Sequence, residues 1–308
     1  MNQRIEIIFR NLVAVTVAVL VVFSQHTNAR TIYVNNVTGD DRSSGQEEQL
    51  SGSAGPVRTI NRALAIAMPS DRVIVANTEQ PYREAIALSG PRLHGTEGRP
   101  FVIQSSGAVI DGAVSTKVGA WRHVDDEVFA FRPRRLTYQQ IFKDGKPLSR
   151  VSRAVLFSGQ RLEPLQWALA NDGVLLRVEE GQLPRDYDLR HAELQTGITL
   201  YNTKHVVVDG FVIQGFQQDG VNAHELVRHS VLRNIECRAN GRSGLSVGGV
   251  SRVTVENSSF YDNGRVQIRT EGGARLELNR CELDGATAPE FNHRGRSLLV
   301  NGNPAIFN

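Results

Sequence analysis

The residues of this sequence with the clearest chemical potential are arginines, a histidine and a tyrosine in its C-terminal third. Arginine binds a carboxylate through two parallel hydrogen bonds and stays charged, while histidine and tyrosine can transfer protons. Arg242 and Arg265 each follow an Asn-Gly pair and lie 23 residues apart, which indicates equivalent places in a repeat. Arranged on one face, such groups could neutralise the carboxylate of an acidic sugar and move the proton beside it.

Three columns of apolar residues run in phase through this part of the chain. With spacings of 23 or 24 residues, they are Val208, Leu232, Val255 and Leu278; Ile198, Val221, Leu245 and Ile268; and Ile213, Cys237, Phe260 and Leu283. Three short strands per repeat, each with one inward row, indicate a parallel β-helix, because each coil buries its apolar residues only against its neighbours. Hairpin turns between the strands of a sandwich would not keep this phase.

Alternation within the strands assigns one polar face. In the strands that contain Ile198, Val221, Leu245 and Ile268, the apolar residues point inwards and the residues that alternate with them along each strand point outwards. Neighbouring coils lie about 5 Å apart, so the outward residues and the loops that enter these strands form one strip. The candidate residues of that strip are Tyr201, Gln218, Asp219, Asn222, His224, Arg242, Arg265, Gln267 and Arg269.

The first 29 residues have the organisation of a secretory signal peptide. Arg4 and Arg10 precede an apolar run over residues 12–23, and Ala29 ends a stretch of small residues. The run is shorter than the ~20 residues of a spanning helix, so we expect cleavage after Ala29, secretion to the extracellular space or the periplasm, and no membrane attachment of the mature chain. The alternative is an uncleaved anchor. Because cleavage removes Arg4, Arg10 and Glu6, the formal net charge falls from +3 to +2, which is too low and too scattered to indicate a nucleic-acid partner.

A helix is predicted near the mature N-terminus. Ile60, Ala63 and Leu64 fall at helical spacing, with Thr59 as N-cap and an end at about Met68. An uncovered terminal coil would expose unpaired strand edges. We therefore expect this helix to cap the β-helix.

Residues 119–195 break the repeat and contain an Asp144-Gly145 hairpin turn, which predicts an antiparallel β insertion. The expected organisation is a single domain over residues 30–308. It comprises the cap and first coils (30–118), the insertion (119–195) and the regular coils (196–308). Cys237 and Cys281 fall two coils apart, so we expect both to be unpaired, buried hydrophobic side chains.

A set of N-terminal motifs resembles those of bacterial secreted right-handed parallel β-helix proteins of the pectate-lyase-like superfamily. The motifs are Ile32-Tyr33-Val34, Gly39-Asp40-Asp41, Gly55-Pro56-Val57-Arg58-Thr59-Ile60, Ala63-Leu64, Asp71-Arg72-Val73-Ile74-Val75 and Tyr82-Arg83-Glu84. The resemblance implies an all-β, right-handed solenoid of about 23 residues per coil. It does not choose between lyases, hydrolases, C5-epimerases and catalytically silent members. Relatives usually carry more coils, so the chain is expected to be a short or truncated member.

The resemblance implies that substrates bind along the first sheet. The arginines of the strip suit an acidic sugar, so the expected partner is an acidic extracellular polysaccharide, and the chain is expected to be a monomer. For a lyase acting by β-elimination, we expect Arg269 or Arg265 to hold the uronate carboxylate and to act as base, with His224 or Tyr201 as the second proton-transfer group. Substrate binding is expected from Arg242, Asn222, Asp219, Gln218 and Gln267.

Each assignment has a structural alternative. Arginines on a sheet face are usually only solvated, Asp219 precedes Gly220 and could shape the corner, and His224 begins a turn. The alternative functions are a non-catalytic carbohydrate-binding or cell-surface protein, a glycoside hydrolase and a C5-epimerase. A hydrolase needs facing carboxylates, but the entering loops carry no acidic pair, and Asp262 and Asp284 lie in later loops. No cofactor is expected, because the sequence shows no zinc spacing and no acidic cluster for calcium. Calcium stays open as an alternative without support from such a cluster.

Overall fold

The computed structural model describes residues 29–50, 52–117, 119–152 and 161–305. The expected signal segment, residues 1–28, lies outside the described residues. Within the described ranges, no helix is long and apolar enough to cross a membrane.

The first strands of successive coils stack into one parallel sheet, here called sheet 1. Polar and apolar residues alternate along its strands, so that one face enters the core and the other faces outwards. Its strands are Ile86–Ser89, Ile198–Tyr201, Asp219–His224, Ser243–Val247, Val266–Glu271 and Phe291–Arg294.

The second and third strands of the coils form two further faces, sheet 2 and sheet 3, which share two long strands that bend at Gly107 and Gly210. Both glycines have a positive φ, 96° and 76°, a conformation that other residues adopt only with strain. Sheet 2 consists of Thr31–Val34, Arg72–Val75, the first parts of Phe101–Asp111 and Val206–Gln214, then Ser230–Arg233, Arg252–Glu256, Arg275–Asn279, Ser297–Val300 and the antiparallel Asn303–Pro304. Sheet 3 consists of the second parts of the two long strands, then Glu236–Arg238, Ser259–Tyr261 and Glu282–Leu283.

Strand pairing confirms the three predicted columns. The successive parallel partners include Val208, Leu232, Val255 and Leu278; Ile198, Val221, Leu245 and Ile268; and Ile213, Cys237, Phe260 and Leu283. A fifth coil follows in the same register, because Val300 pairs with Leu278. The corner residues Asn234 and Asn257 have φ values of 52° and 47°, the left-handed conformation that asparagine tolerates. The fold is therefore an all-β, right-handed parallel β-helix.

A ladder of buried amides lies at the corner that leads into sheet 1. Asn240 Nδ2 donates to the Ile213 carbonyl at 3.1 Å, and Asn263 Nδ2 donates to the Cys237 carbonyl at 3.0 Å. Gln267 ends the ladder, because its Oε1 accepts from Asn263 Nδ2 at 2.7 Å. Gln267 is buried, so its predicted place on the outer face is wrong. Gln267 lies inside the strand Val266–Glu271, but its side chain is held by Asn263 and by the Ala288 carbonyl, to which its Nε2 donates at 3.4 Å.

The predicted capping helix is present as Ile60–Ile66, with Thr59 as its N-cap. Thr59 Oγ1 accepts from the Arg62 amide at 3.1 Å. The helix ends before Met68, because Ala67 is already extended, with ψ at 151°. Its apolar side packs against the first strands of sheets 1 and 2, so it covers the end of the stack where an edge would otherwise be exposed.

The predicted insertion leaves the coil after Asp111 and rejoins it before Ile198, between sheet 3 and sheet 1. Its hairpin turn has φ values of 51° at Asp144 and 74° at Gly145, as a two-residue turn of this kind requires. One sheet consists of Trp121–Asp125, Val128–Phe131, Val174–Arg177, Trp167–Leu169 and Arg150–Val151, and a second, antiparallel sheet of Ala113–Ser115, Leu189–Ala192, Ile141–Lys143 and Lys146–Pro147. Two 3₁₀ turns are Pro91–Leu93 and Pro184–Asp186.

The two cysteines are unpaired. Cys237 is buried, and burial raises the pKa of its thiol. Cys281 is only half-buried, so the expectation that both are buried is wrong for this residue. It lies directly before Glu282–Leu283, which among the described residues pairs only with Ser259–Tyr261.

Candidate functional site

The outer face of sheet 1 carries two parallel rows of side chains, one residue from each coil. The first row contains Thr199, Asn222, Ser246, Arg269 and Asn292, which are successive strand partners. The second contains Tyr201 and His224, then Glu271 and Arg294, with Gly248 between the two pairs. Tyr201, His224 and Arg269, three of the four predicted catalytic residues, therefore share this face.

Asp219 lies at the entrance to this face and is fully buried. Its carboxylate accepts from Arg242 Nε at 2.9 Å and Nη2 at 2.5 Å, from Ser243 Oγ at 2.6 Å and from Asn222 Nδ2 at 2.8 Å. The hydrogen bonds to Asp219 raise the pKa of the Arg242 guanidinium. These contacts use the hydrogen-bonding capacity of the carboxylate, so Asp219 holds Arg242 in place. Gln218 contributes its backbone carbonyl, which accepts from the Arg242 amide at 2.8 Å.

Gly248 lies between two polar side chains of the second row. A Cβ atom at this position would be 3.4 Å from Glu271 Cγ and 3.8 Å from His224 Cβ, so the two side chains flank the glycine. Arg269 donates to the Glu271 carboxylate, and the rings of Tyr201 and His224 meet edge to face at 4.9 Å. An imidazole, a phenol, a carboxylate and a guanidinium therefore lie within one patch.

The insertion adds Tyr138 to the strip. The guanidinium carbon of Arg242 lies 5.7 Å from the centre of the Tyr138 ring, and that of Arg265 lies 5.9 Å from it. Arginine over an aromatic ring is held by cation–π attraction. Arg265 is exposed and, unlike Arg242, donates to no carboxylate among the described residues.

Arg150 lines the same cleft as Gly264, the residue directly before Arg265. It lies over the Trp167 ring at 5.2 Å. Burial lowers the pKa of Arg150, and the positive charge of Arg265 lowers it further. Within the described ranges, neither arginine has a carboxylate partner. Two such charges repel each other unless an anion lies between them, so this corner favours a bound carboxylate.

Beside these arginines, a cleft of about 610 Å³ separates the insertion from the loops of the coils. Its wall includes Asp262, whose pKa is raised by burial and by the negative charge of Asp284. The cleft is lined by Gln140, Lys146, Pro147, Leu148, Ser149, Arg150, Asp262, Asn263, Gly264, Ala286 and Thr287. A carboxyl that keeps its proton to a higher pH can serve as an acid, and two interacting carboxyls are an arrangement that hydrolases use.

The structure divides the predicted site residues into four groups. Tyr201, His224 and Arg269 are together on the face of sheet 1, while Arg265 lies at the insertion with Tyr138. Asp219, Arg242 and Asn222 form the supporting network, and Gln267 is part of the core.

Sequence reasoning missed Tyr138, Arg150 and the proximity of Asp262 to Asp284. The spacing of 22 residues between the two acids was a signal for their proximity, because it is close to one coil. Nothing comparable placed Tyr138 and Arg150, because the insertion lies outside the repeat. Among the described residues, no three His, Cys, Asp or Glu side chains are grouped as metal ligands.

Comparison with known proteins shows the fold. Residues 195–306 match the family model described as "Right handed beta helix region". A solved glycoside hydrolase aligns with a TM-score of 0.58 at 10% identity, over 83% of this chain and 73% of the hydrolase. No curated protein matches this chain.

Two further solved structures resemble the chain more weakly. XylC in complex with xylose aligns with a TM-score of 0.42 at 12% identity, over 82% of this chain and 66% of XylC. Pectate lyase Pel9A aligns with a TM-score of 0.33 at 10% identity, over 91% of this chain and 80% of the lyase. The chain thus spans about two thirds of the length of XylC.

Proposed function

We propose that this protein binds an acidic, uronate-containing polysaccharide along the outer face of sheet 1 and cleaves it by β-elimination. The observation that carries the proposal is the pair Arg150 and Arg265, two neighbouring guanidinium groups without a described carboxylate partner. A uronate carboxylate between them would relieve their repulsion and accept hydrogen bonds from both.

The aromatic rings beneath these arginines support the same proposal. Tyr138 and Trp167 lie under Arg265 and Arg150, which limits the positions that the guanidinium groups occupy. Groups held in place before the substrate arrives lose less entropy on binding. They also stabilise charge that develops during the reaction at lower cost.

In the proposed reaction, binding by Arg265 and Arg150 neutralises the uronate carboxylate and acidifies the hydrogen on the carbon beside it. A base removes this proton, and the electrons of the C–H bond form a carbon–carbon double bond. The bond from the next carbon to the glycosidic oxygen breaks, and that oxygen takes a proton. No redox partner is needed.

Arg265 is also the proposed base, because it precedes the beginning of Val266–Glu271 and lies about 20 Å along the strand direction from His224 and Tyr201 at the strand ends. His224 and Tyr201, with their rings 4.9 Å apart, are proposed to bind a further sugar of the polymer. Arg269 is paired with Glu271. This pairing favours a role as a fixed cation that orients the polysaccharide, in preference to a role as the base. We further propose that the mature chain is exported, acts as a monomer and needs no cofactor.

The test is the ultraviolet absorbance of unsaturated uronate ends. Mature protein beginning at Arg30 is incubated with pectate, alginate and glycosaminoglycans, with and without calcium. We expect one polymer to give rising absorbance, and the Arg265→Ala variant to lose about 100-fold or more in rate, as expected for removal of one charge-stabilising group. Arg185→Ala, which changes an exposed arginine elsewhere on the insertion, is the matched control. Absence of unsaturated ends with every polymer would overturn β-elimination.

A second candidate, a glycoside hydrolase, is favoured by the raised pKa of Asp262 beside Asp284. This activity would release reducing ends without ultraviolet absorbance, and Asp262→Asn would abolish it. A C5-epimerase would change the uronate composition without cleavage. Retained polymer binding with none of these reactions would leave a carbohydrate-binding protein.

A further inference from the structure

A file of basic residues runs along the edge between the ends of sheet 1 and the beginnings of sheet 2. Each residue comes from a successive coil. The backbone amides of the last four donate to the preceding coil: Arg228 to Thr203 at 2.9 Å, Arg252 to Val227 at 2.7 Å, Arg275 to Ser251 at 2.9 Å and Arg296 to Ala274 at 2.8 Å. The file, here called the basic ridge, consists of Lys204, Arg228, Arg252, Arg275 and Arg296.

The ridge side chains face solvent. Arg275 is half-buried and the other four are exposed, whereas Val227, Ser251 and Ala274, each directly before one of the arginines, are buried. None of the five pairs with a carboxylate of the described residues. The regular coils therefore display one unpaired positive charge per coil over five consecutive coils.

Side chains at this edge stack from coil to coil. The rings of His205 and His229, each directly after a ridge residue, lie parallel with centroids 4.9 Å apart and planes 10° apart. This separation matches the spacing of neighbouring strands, about 4.7–4.9 Å. The ridge charges therefore recur at one strand spacing along a line.

Few acids offset these charges. Glu225 lies in the loop before Arg228, but the next two coils carry Gly249 and Gly272 at the corresponding place. Glu277 follows Arg275 on the outer face of sheet 2, where its carboxylate accepts from Asn279 Nδ2 at 3.2 Å. The ridge remains strongly positive along its whole length.

The ridge is separate from the arginine part of the candidate site. Arg242 and Arg265 enter sheet 1 at the beginnings of its strands, beside the insertion, whereas the ridge follows the loops that leave the ends of those strands, just beyond Tyr201 and His224. A sugar bound at Arg265 would therefore not contact the ridge.

We infer that the basic ridge is a second binding surface, which holds a linear acidic polysaccharide outside the candidate active site. A single line of charges at one-coil spacing matches a single flexible chain with a negative charge on each sugar. A planar anionic membrane would bind a broad basic face more strongly than a single line of charges. Duplex DNA has two phosphate rows and would be matched by two lines of positive charge. The ridge goes beyond the proposed cleavage, because it needs no chemistry.

The test measures the binding of size-fractionated alginate at two salt concentrations. The probes are wild-type protein, the triple variant Arg228→Gln/Arg252→Gln/Arg275→Gln, and the control Arg122→Gln/Arg134→Gln/Arg185→Gln, whose exposed arginines lie on the insertion. We expect about tenfold weaker binding by the ridge variant at low salt, from three surface charge contacts of about twofold each or slightly more. We also expect the plot of the logarithm of its alginate association constant against the logarithm of the salt concentration to have a slope smaller in magnitude by about two, by analogy with single-stranded polyanions. The control should bind as wild type does.

Circular dichroism melting checks that the variants remain folded. Unchanged alginate affinity in the folded ridge variant would overturn the proposal, as would wild-type protein that does not bind alginate. If the ridge variant lost binding to anionic vesicles or to duplex DNA but kept its alginate binding, the ridge would belong to another partner. That result would also overturn the proposal. Ridge-dependent binding without unsaturated ends would support the ridge and contradict β-elimination, so the two proposals fail separately.

Discussion

At the scale of single residues, Asp219 illustrates how a polar side chain near a candidate site can serve structure. Its buried carboxylate binds Arg242, Ser243 and Asn222. We expect Asp219→Asn to lower the free energy of unfolding by about 2 kcal/mol, because it leaves a partly buried arginine without its counter-charge. Urea denaturation measures the change. Asp209→Asn, in the more exposed pair with Arg233, should cost less than about 1 kcal/mol. Equal costs would contradict this account.

His191 gives the stability a predicted pH dependence. Burial lowers the pKa of its imidazole despite the nearby Glu193, and its ring meets Phe131 edge-on at 4.7 Å. The unfolded chain takes up this proton below about pH 6.5, whereas the folded chain resists it, so stability falls as the pH drops from about 6.5 towards the folded pKa.

We therefore expect the melting temperature to fall between pH 7 and pH 5, and to fall less in His191→Gln. Calorimetry at a series of pH values measures the difference. His123→Gln, at an exposed histidine, should keep the wild-type dependence. Parallel pH profiles for wild type and His191→Gln would show that another group is responsible.

The residue scale also shows where sequence reasoning ends. Alternation placed Tyr201, His224 and Arg269 on one face, because the strand period is fixed by backbone geometry. It misplaced Gln267, because hydrogen bonds to Asn263 and to the Ala288 carbonyl bury this side chain, and strand alternation carries no information on them. Tyr138 could not be placed, since its position depends on how the insertion packs and not on any repeat.

At the scale of elements, the N-terminal helix depends on two carboxylates from outside it. Asp41 accepts from the Arg58 and Thr59 amides at 2.9 and 2.8 Å, and Glu84 accepts from the Ile60 and Asn61 amides at 2.9 Å each. The amides at a helix start have no partner within the helix. These motif acids therefore fasten the cap to the first coils.

We expect Glu84→Ala to lower the free energy of unfolding by about 1–2 kcal/mol, because two backbone donors lose their acceptor. Because the cap covers a strand edge, the variant should also aggregate more readily on mild heating. Chemical denaturation and light scattering measure the two effects. Glu79→Ala, at an exposed loop residue, is the control. A variant as stable as the control would show that the cap does not depend on this contact.

The elements differ in how far the sequence determines them. The columns through Val208, Ile198 and Ile213 were predictable, because four stacked repeats require the same residue type at the same place. The helix start at Thr59 followed from capping chemistry. The packing of the insertion against the coils was not predictable, because it depends on contacts such as Gln217 Nε2 to the Arg135 carbonyl at 3.1 Å, which repeat nowhere else.

At the scale of the whole domain, the stack makes stability a local property. Each coil is held mainly by the coils on either side, so the stability of a coil depends on its neighbours. The helix covers one end, whereas at the other end of the described residues Ser297–Val300 pairs on its far side with the short strand Asn303–Pro304. Cys281 and Leu283, close to this end, are half-buried.

Amide hydrogen exchange should therefore follow a gradient along the stack. We expect the slowest exchange in the central strands Val206–Gln214 and Ser230–Arg233, which have a coil on both sides, and exchange faster by at least an order of magnitude in Ser297–Val300. Mass spectrometry of peptides after timed exchange at neutral pH measures this. Equal protection in all coils would mean that the domain opens only as one unit. A gradient would mean that the coils nearest the insertion, which carry Arg265 and His224, stay ordered while the C-terminal coils open.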